Sequence, residues 1–464
     1  MAEKQLTADA KNMLGDPKTA LRLMAVPMFV SLMVAQVNTF VDTFWCSSLG
    51  TVALAAVGIV TSFYLILSGI GSGIGIGISA SVAAKVATRR KEEADNIASV
   101  SIKFMFVIGL LCIPIMLLIA DPVLMAVGGT DTYDDGKAYG LPYYLGAPII
   151  ILQGIFAGIL RGEGASRRSM VMMVTAAVLN IVLDPLFTFV FDWGICGLSW
   201  ATVTSTAASL LLFLYWYYVK PETTYIDLHV KSARMEKHVL KDFLSVGVPK
   251  AVESDIMAAV NFVLNYFVVF CWGSYGYAVY ATSWKYVDLM LVPSVALAGA
   301  LVPIAAAAFS KHDFPKMRFS YGYAMAWTLI ITAVIAAVLY VFMDYAAIIF
   351  TYSEGSIAMR ADIIHVTKIF LIIGVLFSAI NISSSLLQAM RMANNSMWST
   401  FARNILLIFV FGATCTISPD AMWWGFVLCE IVGLVIMCGW AEIGYKMRLK
   451  EYKHHSEPKV CRVQ

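Results

Sequence analysis

Long apolar runs separated by short polar segments occupy almost the whole chain. A helix that crosses a bilayer needs about 20 predominantly apolar residues, and twelve runs reach that length. Their approximate bounds are 20–45, 52–84, 99–120, 139–160, 169–191, 197–218, 244–271, 276–309, 319–350, 362–388, 397–418 and 421–445. Because a membrane span must satisfy its own backbone hydrogen bonds, this pattern predicts an all-α polytopic membrane protein with twelve transmembrane helices.

The composition excludes other classes of protein. Of the 464 residues, 60% are hydrophobic and 14% are charged, whereas a soluble domain carries roughly 25% charged residues. A soluble enzyme or a nucleic-acid-binding protein is therefore not expected, and the net charge of +3 is too small to indicate an anionic macromolecular partner. The eight cysteines follow no paired-motif spacing, so neither a disulfide framework nor a zinc site is predicted.

Lysine and arginine are concentrated in the loops that follow even-numbered runs. These basic segments lie at 85–91, 161–168, 220–241 and 311–318 and at Arg391. The intervening loops are acidic or uncharged, as with Asp131, Asp134 and Asp135 after the third run. Cytoplasmic loops of membrane proteins carry the excess of Lys and Arg, so we expect a multi-pass protein of the cell membrane with both termini in the cytoplasm.

The N-terminal segment that starts at Pro27 returns in the second half of the chain at Pro249, and Gly50 falls near the equivalent of Gly273. Transporters are commonly built from two related halves, so the repeat predicts two pseudo-symmetric lobes of six helices each. The predicted organisation is an N-terminal cytoplasmic segment 1–19, an N-lobe 20–219, a cytoplasmic linker 220–242, a C-lobe 243–446 and a cytoplasmic tail 447–464.

Carboxylate, amide and hydroxyl groups inside the runs of the first half are the main functional candidates. An ionisable side chain at the centre of a span costs about 2.5–3.5 kcal/mol on insertion scales, so it tends to have a function. Asn38 and Asp42 lie four residues apart in the first run, as do Asn180 and Asp184 in the fifth. With Thr202 they supply only oxygen ligands, which suit a hard cation such as Na⁺ or a shared proton.

A simpler interpretation is that Asp42 only caps or packs the outer end of its helix. The internal repeat weighs against it, because Leu264 stands at the equivalent of Asp42 and Phe411 at the equivalent of Asp184. An acid that the fold required would be expected in both halves. The asymmetry therefore favours a functional site in the first half.

The second half carries charges of its own inside the runs. Lys250 can pair with Glu253, and Lys285 with Asp288, because residues three apart meet on one helix face. For Arg403 we also expect an ion pair or a position at the membrane surface. The candidates to line a substrate cavity are Asn38, Gln153, Asn265, Lys285 and Asp288.

Several motifs together resemble one family of transporters. They are the early Pro27 followed by VDTFW with Asp42, RGEG at 161–164, LNIVLDPLF with Asn180 and Asp184, and the basic central linker. Over roughly residues 15–450 the chain resembles the multidrug and toxic compound extrusion family. Within it the chain is most similar to the prokaryotic branch called DNA-damage-inducible protein F-like.

The resemblance implies a secondary active antiporter that exports organic, often cationic and amphipathic compounds in exchange for H⁺ or Na⁺, without a cofactor. In similar proteins of this branch the N-lobe handles the coupling ion, at positions that match Asp42, Asn180, Asp184 and Thr202. Other branches place acids in the seventh and tenth spans, but Glu253 and Asp362 stand too near the starts of theirs for that role to be carried over. The expected partners are small organic substrates and the lipid bilayer, with no nucleic acid, and the expected state is a monomer.

Other functions remain open on the sequence alone. A flippase or exporter of lipid-linked or other amphipathic metabolites shares the wider superfamily fold, although flippases for lipid-linked sugars usually have fourteen spans and a more basic cavity. A membrane enzyme or a channel is less consistent with the chain, which has no HExxH or GxSxG motif and has the two-lobe repeat of a transporter. We therefore do not expect an enzyme.

Overall fold

The computed structural model describes residues 4–47, 49, 51–128, 130, 132–351 and 357–456. Every regular element within these residues is helical, which confirms the all-α fold class. Two residues used in the sequence comparison, Gly50 and Asp131, lie outside the described part of the chain.

The described residues of the first half of the chain form eight α-helices. They are α1 (Ala8–Leu14), α2 (Pro17–Ser47), α3 (Thr51–Ala87), α4 (Lys91–Gly128), α5 (Tyr133–Leu145), α6 (Ala147–Gly162), α7 (Ser166–Pro185) and α8 (Gly194–Leu214). Single π-helical turns follow α7 at Leu186–Val190 and α8 at Tyr215–Val219, and a 3-10 turn lies at Pro221–Thr223.

The second half contains longer helices. They are α9 (Lys237–Ser310), α10 (Phe314–Ala346), α11 (Arg360–Ala389), α12 (Ala393–Thr414) and α13 (Pro419–Ser456), with a 3-10 turn at Ala347–Phe350. Most helices extend beyond the apolar runs, because their polar first and last turns continue the helix outside the hydrocarbon layer. The segment predicted as a tail after residue 446 thus begins as helix.

The number of spans follows from one bent pair of helices and one long helix that is broken in the middle. Ten described helices are long and apolar enough to cross a membrane, and the pair α5 and α6, bent by 50°, raises the number to eleven. Helix α9 has 74 residues, about 111 Å of helix, which is far too long for one span. Gly273 breaks it with φ 64° and ψ −167°, a conformation open to glycine alone. Helix α9 therefore supplies two spans, 237–272 and 274–310, and the total is the predicted twelve.

The loops between helices preserve the internal repeat. Arg89 and His312 both have a φ of 58°, and they are separated by nearly the same interval as Pro27 and Pro249. The next pair of equivalent loops has Gly164 at φ 87° and Arg391 at φ 59°. A positive φ is uncommon for residues other than glycine. The two halves therefore share an unusual backbone turn at matching places.

The contacts of the chain form two compact units, Met1–Phe262 and Val263–Gln464. In the first unit α3 packs tightly on α6 through glycines. A Cβ on Gly75 would lie 2.2 Å from the carbonyl oxygen of Gly154, and one on Gly158 would lie 2.3 Å from that of Gly75. These glycines allow close helix packing.

The predicted linker, 220–242, is fastened to the first unit. The buried Glu163 carboxylate, from the RGEG motif, accepts hydrogen bonds from the backbone N–H groups of Tyr225 and Ile226 at 3.2 and 3.4 Å. Asp227 pairs with Lys4 and with Lys91, each at 2.6 Å. Desolvation by burial raises the pKa of Glu163 to about 7, against the opposing effect of Arg168. The division of the chain into lobes at this linker stays a prediction.

Candidate ion-coupling site

Two helices of the first unit carry the predicted acids. Helix α2 holds Asn38 and Asp42, and helix α7, which packs directly on α2, holds Asn180 and Asp184. Each pair is four residues apart, so its two side chains project from one helix face. The packing of α2 on α7 turns these two faces toward each other.

The four side chains form one continuous hydrogen-bonded chain. The Asn38 amide donates to the Asp42 carboxylate at 3.1 Å and to the side-chain oxygen of Asn180 at 2.8 Å. The Asn180 amide donates in turn to the Asp184 carboxylate at 2.7 Å. Asn180 and Asp184 are 3% and 1% exposed. The sequence predicted that these four residues are candidates, and the structure brings all four together.

The two carboxyl groups lie at the two ends of this hydrogen-bonded chain. Two carboxylates that share a site repel each other when both are ionised, and a bound proton or cation relieves that repulsion. The pair is therefore suited to hold one proton or one small cation.

Several oxygen atoms at the site remain open. The side-chain oxygens Asn38 Oδ1, Asp42 Oδ1, Asp184 Oδ2 and Thr188 Oγ1 are buried and have no hydrogen-bond partner among the described residues. A buried polar atom without a partner costs about 1–3 kcal/mol. A proton or a small hard cation would satisfy these oxygens, since neither needs nitrogen or sulfur ligands.

Thr202 occupies a neighbouring position on α8. Its hydroxyl accepts a hydrogen bond from Tyr143 at 3.4 Å and donates to the carbonyl oxygen of Leu198 at 3.2 Å. The Tyr143 hydroxyl in turn lies 3.1 Å from that of Tyr139. Thr202 is thus linked to two buried tyrosines of α5.

Sequence reasoning missed Thr188 and this tyrosine pair. Thr188 lies four residues after Asp184, inside the π-helical turn that follows Pro185. Proline has no N–H to donate to the preceding turn, and π-helical turns occur frequently at functional sites. Tyr139 and Tyr143 are also four residues apart. The spacing that identified Asn180 and Asp184 could therefore have identified all three residues.

The remaining substrate-cavity candidates are spread over both units. Gln153 lies on α6 in the first unit and is partly buried. Asn265, Lys285 and Asp288 lie on α9 in the second unit, where Asn265 is partly buried and the two charged side chains are exposed. Their part in a substrate cavity, and the pairing of Lys285 with Asp288, stay predictions.

Two of the ion pairs expected inside the helices are present. Lys250 and Glu253 form an ion pair at 2.9 Å, and Arg403 pairs with Glu430 at 3.1 Å inside the second unit. Leu264 and Phe411, the counterparts of Asp42 and Asp184 in the repeat, are fully buried apolar residues. The second unit therefore has no copy of the acid pair at the equivalent positions.

Comparison with known proteins decides the family. The family model MatE matches residues 27–186 and again residues 249–414, which is more than half of the chain. The chain belongs to the MatE family. The two matches of the MatE model begin at Pro27 and Pro249, the residues that start the internal repeat. The narrower placement in the DNA-damage-inducible protein F-like branch stays a prediction.

Relatives and solved structures agree with the membership in the MatE family. The multidrug export protein MepA of Staphylococcus aureus is 24% identical over 364 residues, which are 77% of this chain and 80% of MepA. A MOP superfamily transporter from Pyrococcus furiosus is 28% identical, with a TM-score of 0.92 over 96% of this chain and 99% of that one. A MATE structure in the bent conformation is 27% identical, with a TM-score of 0.90 over 97% of this chain and all of that one. The chain is therefore a multi-pass transporter with the twelve-helix, two-lobe fold.

Proposed function

We propose that this MATE transporter is a secondary active antiporter that exports organic, cationic or amphipathic compounds in exchange for H⁺ or Na⁺. The hydrogen-bonded chain from Asp42 through Asn38 and Asn180 to Asp184 carries this proposal. The name of the relative MepA, a multidrug export protein, supports the choice of substrate class.

The coupling ion acts on the acid pair. When the site holds one proton, the Asp42 and Asp184 carboxyl groups keep one negative charge between them, which attracts a cationic substrate. A second proton, or a Na⁺ ion held by the open oxygens, neutralises that charge. The ion and the substrate therefore compete for the same charge, so that entry of one favours release of the other. H⁺ and Na⁺ also compete with each other.

Movement of α2 links this exchange to transport. Helix α2 contains Pro27, which removes one backbone hydrogen bond and weakens the helix. The Asn38–Asn180 hydrogen bond at 2.8 Å joins α2 to α7, so a change in the charge of the site alters how firmly α2 is held. Repacking of α2 then expels the substrate, and alternating access of the two lobes exposes the site to each side in turn.

The proposed transporter has a defined orientation in the membrane and a small set of partners. Both termini and the segment 220–242 face the cytoplasm, as the loop charges indicate. The transporter works as a monomer, without a cofactor and without a nucleic-acid partner. Its partners are small organic molecules and the lipid bilayer.

The pH dependence of substrate affinity tests the assignment of the coupling site. Purified protein is titrated with tetraphenylphosphonium, a lipophilic cation, at a series of pH values. We expect Asp42→Asn to flatten the dependence, because the variant keeps the volume of the side chain but loses its charge. Asp288→Asn, on the exposed face of α9, should preserve the dependence. The reverse pattern would move the coupling site to the second half of the chain.

A second candidate is an exporter or flippase of lipid-linked or other amphipathic metabolites. One similar structure, the MOP superfamily transporter from Pyrococcus furiosus, is described as having a binding pocket of reverse polarity that suggests a different function. A protein of the same fold for which a different function is suggested supports testing this second candidate. Tighter binding of an anionic amphiphile such as dodecyl phosphate than of tetraphenylphosphonium would favour this candidate.

A further inference from the structure

The last helix extends far beyond its apolar part. Helix α13 has 38 residues, Pro419–Ser456, and is therefore about 57 Å long. The hydrocarbon layer of a bilayer is only about 30 Å thick. Because the apolar run ends near residue 445, the final turns of α13 project through the headgroup layer.

One face of these final turns is docked on the second unit. The Tyr452 ring stacks on His312 with 4.7 Å between centroids, and the Tyr445 hydroxyl donates to the carbonyl oxygen of Phe314 at 3.4 Å. Arg448 donates to Glu451 on the same helix at 3.0 Å. These contacts fix how the projecting turns are rotated about the helix axis.

Three lysines share a different face of the same turns. Lys446, Lys450 and Lys453 follow the four- and three-residue spacing of one helix face. All three are exposed, and the Lys446 side chain remains 70% exposed beside Glu442. The lysine face points away from Arg448 and the docked side. We call these three residues the α13 lysine face.

The residues just before the α13 lysine face suit contact with lipid. Trp440, Ile443 and Met447 are exposed on adjoining positions of α13, and tryptophan is enriched where the hydrocarbon layer meets the headgroups. Lys446 lies about 9 Å beyond Trp440 along the helix axis, and Lys450 about 15 Å. Each headgroup layer is about 5–8 Å thick. The lysines therefore lie at the level of the lipid phosphates and just outside it.

The surrounding loops add to the positive charge. Among the described residues, this end of the second unit has eight basic residues, Lys311, Lys316, Arg318, Arg391, Lys446, Arg448, Lys450 and Lys453, against three acidic residues, Asp313, Glu442 and Glu451. Arg318 and Lys446 pair with Glu442, and Arg448 pairs with Glu451. The basic residues outnumber these acids, so this end of the second unit keeps a positive balance.

We propose that the α13 lysine face binds the headgroups of anionic phospholipids. The leaflet is the cytoplasmic one in the orientation proposed above. Each lysine near an anionic surface strengthens binding about fivefold. The site would therefore select anionic over zwitterionic lipids, independently of which compound the transporter exports.

Native mass spectrometry of the full-length protein, purified and delipidated in detergent, tests this proposal. Dioleoyl-phosphatidylglycerol and dioleoyl-phosphatidylcholine are added in turn, and the apparent affinity for the first bound lipid is measured. We expect the wild type to prefer phosphatidylglycerol. The variant Lys446→Gln/Lys450→Gln/Lys453→Gln should lose at least about tenfold of that affinity while its weak binding of phosphatidylcholine is unchanged.

The matched control is Lys237→Gln/Lys241→Gln, which removes two exposed lysines at the start of α9. It should retain the wild-type preference, and inorganic phosphate should not displace the bound lipid. Equal loss in both variants would show a general effect of charge and overturn the proposal, as would an unchanged preference in the triple variant. Should the triple variant fail to fold, Lys450→Gln alone is expected to lose about fivefold, and no loss there would also overturn it.

Discussion

The buried pair of Arg403 and Glu430 allows a quantitative test of which charges in the second unit are structural. The two side chains are 4% and 2% exposed, and 3.1 Å separates the guanidinium from the carboxylate. Arg403 also donates to the side-chain oxygen of Asn404 at 3.0 Å, and its guanidinium lies 5.2 Å from the ring centroid of Phe377. The perturbation is Arg403→Met alone, Glu430→Met alone, and both together.

The expected magnitudes follow from burial. Removing one partner leaves the other charge buried and uncompensated, which lowers the free energy of unfolding by about 3–5 kcal/mol. Removing both replaces the pair by apolar side chains of similar volume, which is close to neutral. Methionine also retains Cβ and Cγ and places its sulfur where Arg403 Cδ lies against Gly433, at a point 2.4 Å from the position of an added Gly433 Cβ. The double variant should therefore be more stable than either single variant.

The assay combines reversible unfolding in bicelles with efflux of tetraphenylphosphonium from proteoliposomes. We expect the double variant to regain most of the lost stability and to retain efflux. If the double variant is as unstable as the single variants, Arg403 and Glu430 do not neutralise each other's buried charge, and the reasoning is refuted. A stable double variant without efflux would instead give the pair a part in transport.

Three further predictions concern the first unit. Burial raises the pKa of Glu163 from 4.5 to about 7, so between pH 4.5 and 7 the folded protein holds a proton on Glu163 that the unfolded chain has lost. The free energy of unfolding should therefore fall as pH rises from 4.5 through 7, by about 3 kcal/mol. Glu163→Gln should remove that part of the dependence in thermal unfolding, and parallel profiles for variant and wild type would contradict it. Asp184→Asn should abolish efflux while the protein still inserts and folds, and near wild-type efflux at equal expression would give Asp184 a packing role. Thiols introduced at Lys231 and Asp134 should label from opposite sides of the membrane, and labelling from one side would disprove the proposed orientation.

Much of the fold could be predicted from the sequence, because hydrophobic length and loop charge report directly on membrane spans. The twelve runs correspond to twelve spans, although α9 is continuous except at Gly273. The spacing of four residues also identified both halves of the acid site, Asn38 with Asp42 and Asn180 with Asp184. Spacing determines which side chains share a face of one helix, and these faces were correctly identified.

The rest depends on how helices are rotated against each other, which spacing does not specify. The Asn38–Asn180 hydrogen bond between α2 and α7 could not be derived from either helix alone. The hydrogen bond between Thr202 on α8 and Tyr143 on α5 likewise could not be derived from either helix alone, and the role of Thr202 in the site stays a prediction. The partners of Glu163 are backbone N–H groups of the linker, and every residue except proline has such a group, so the sequence gives no sign of which ones bind.

The central claim is that the acid pair in the first unit couples ion movement to export. The most direct measurement is efflux of tetraphenylphosphonium from proteoliposomes in which a proton gradient and a sodium gradient are imposed separately, for the wild type and for Asp42→Asn. The account predicts that at least one gradient drives efflux by the wild type and that neither drives efflux by the variant at equal reconstitution. Gradient-driven efflux by Asp42→Asn at the wild-type rate, or wild-type efflux that neither gradient accelerates, would contradict the account.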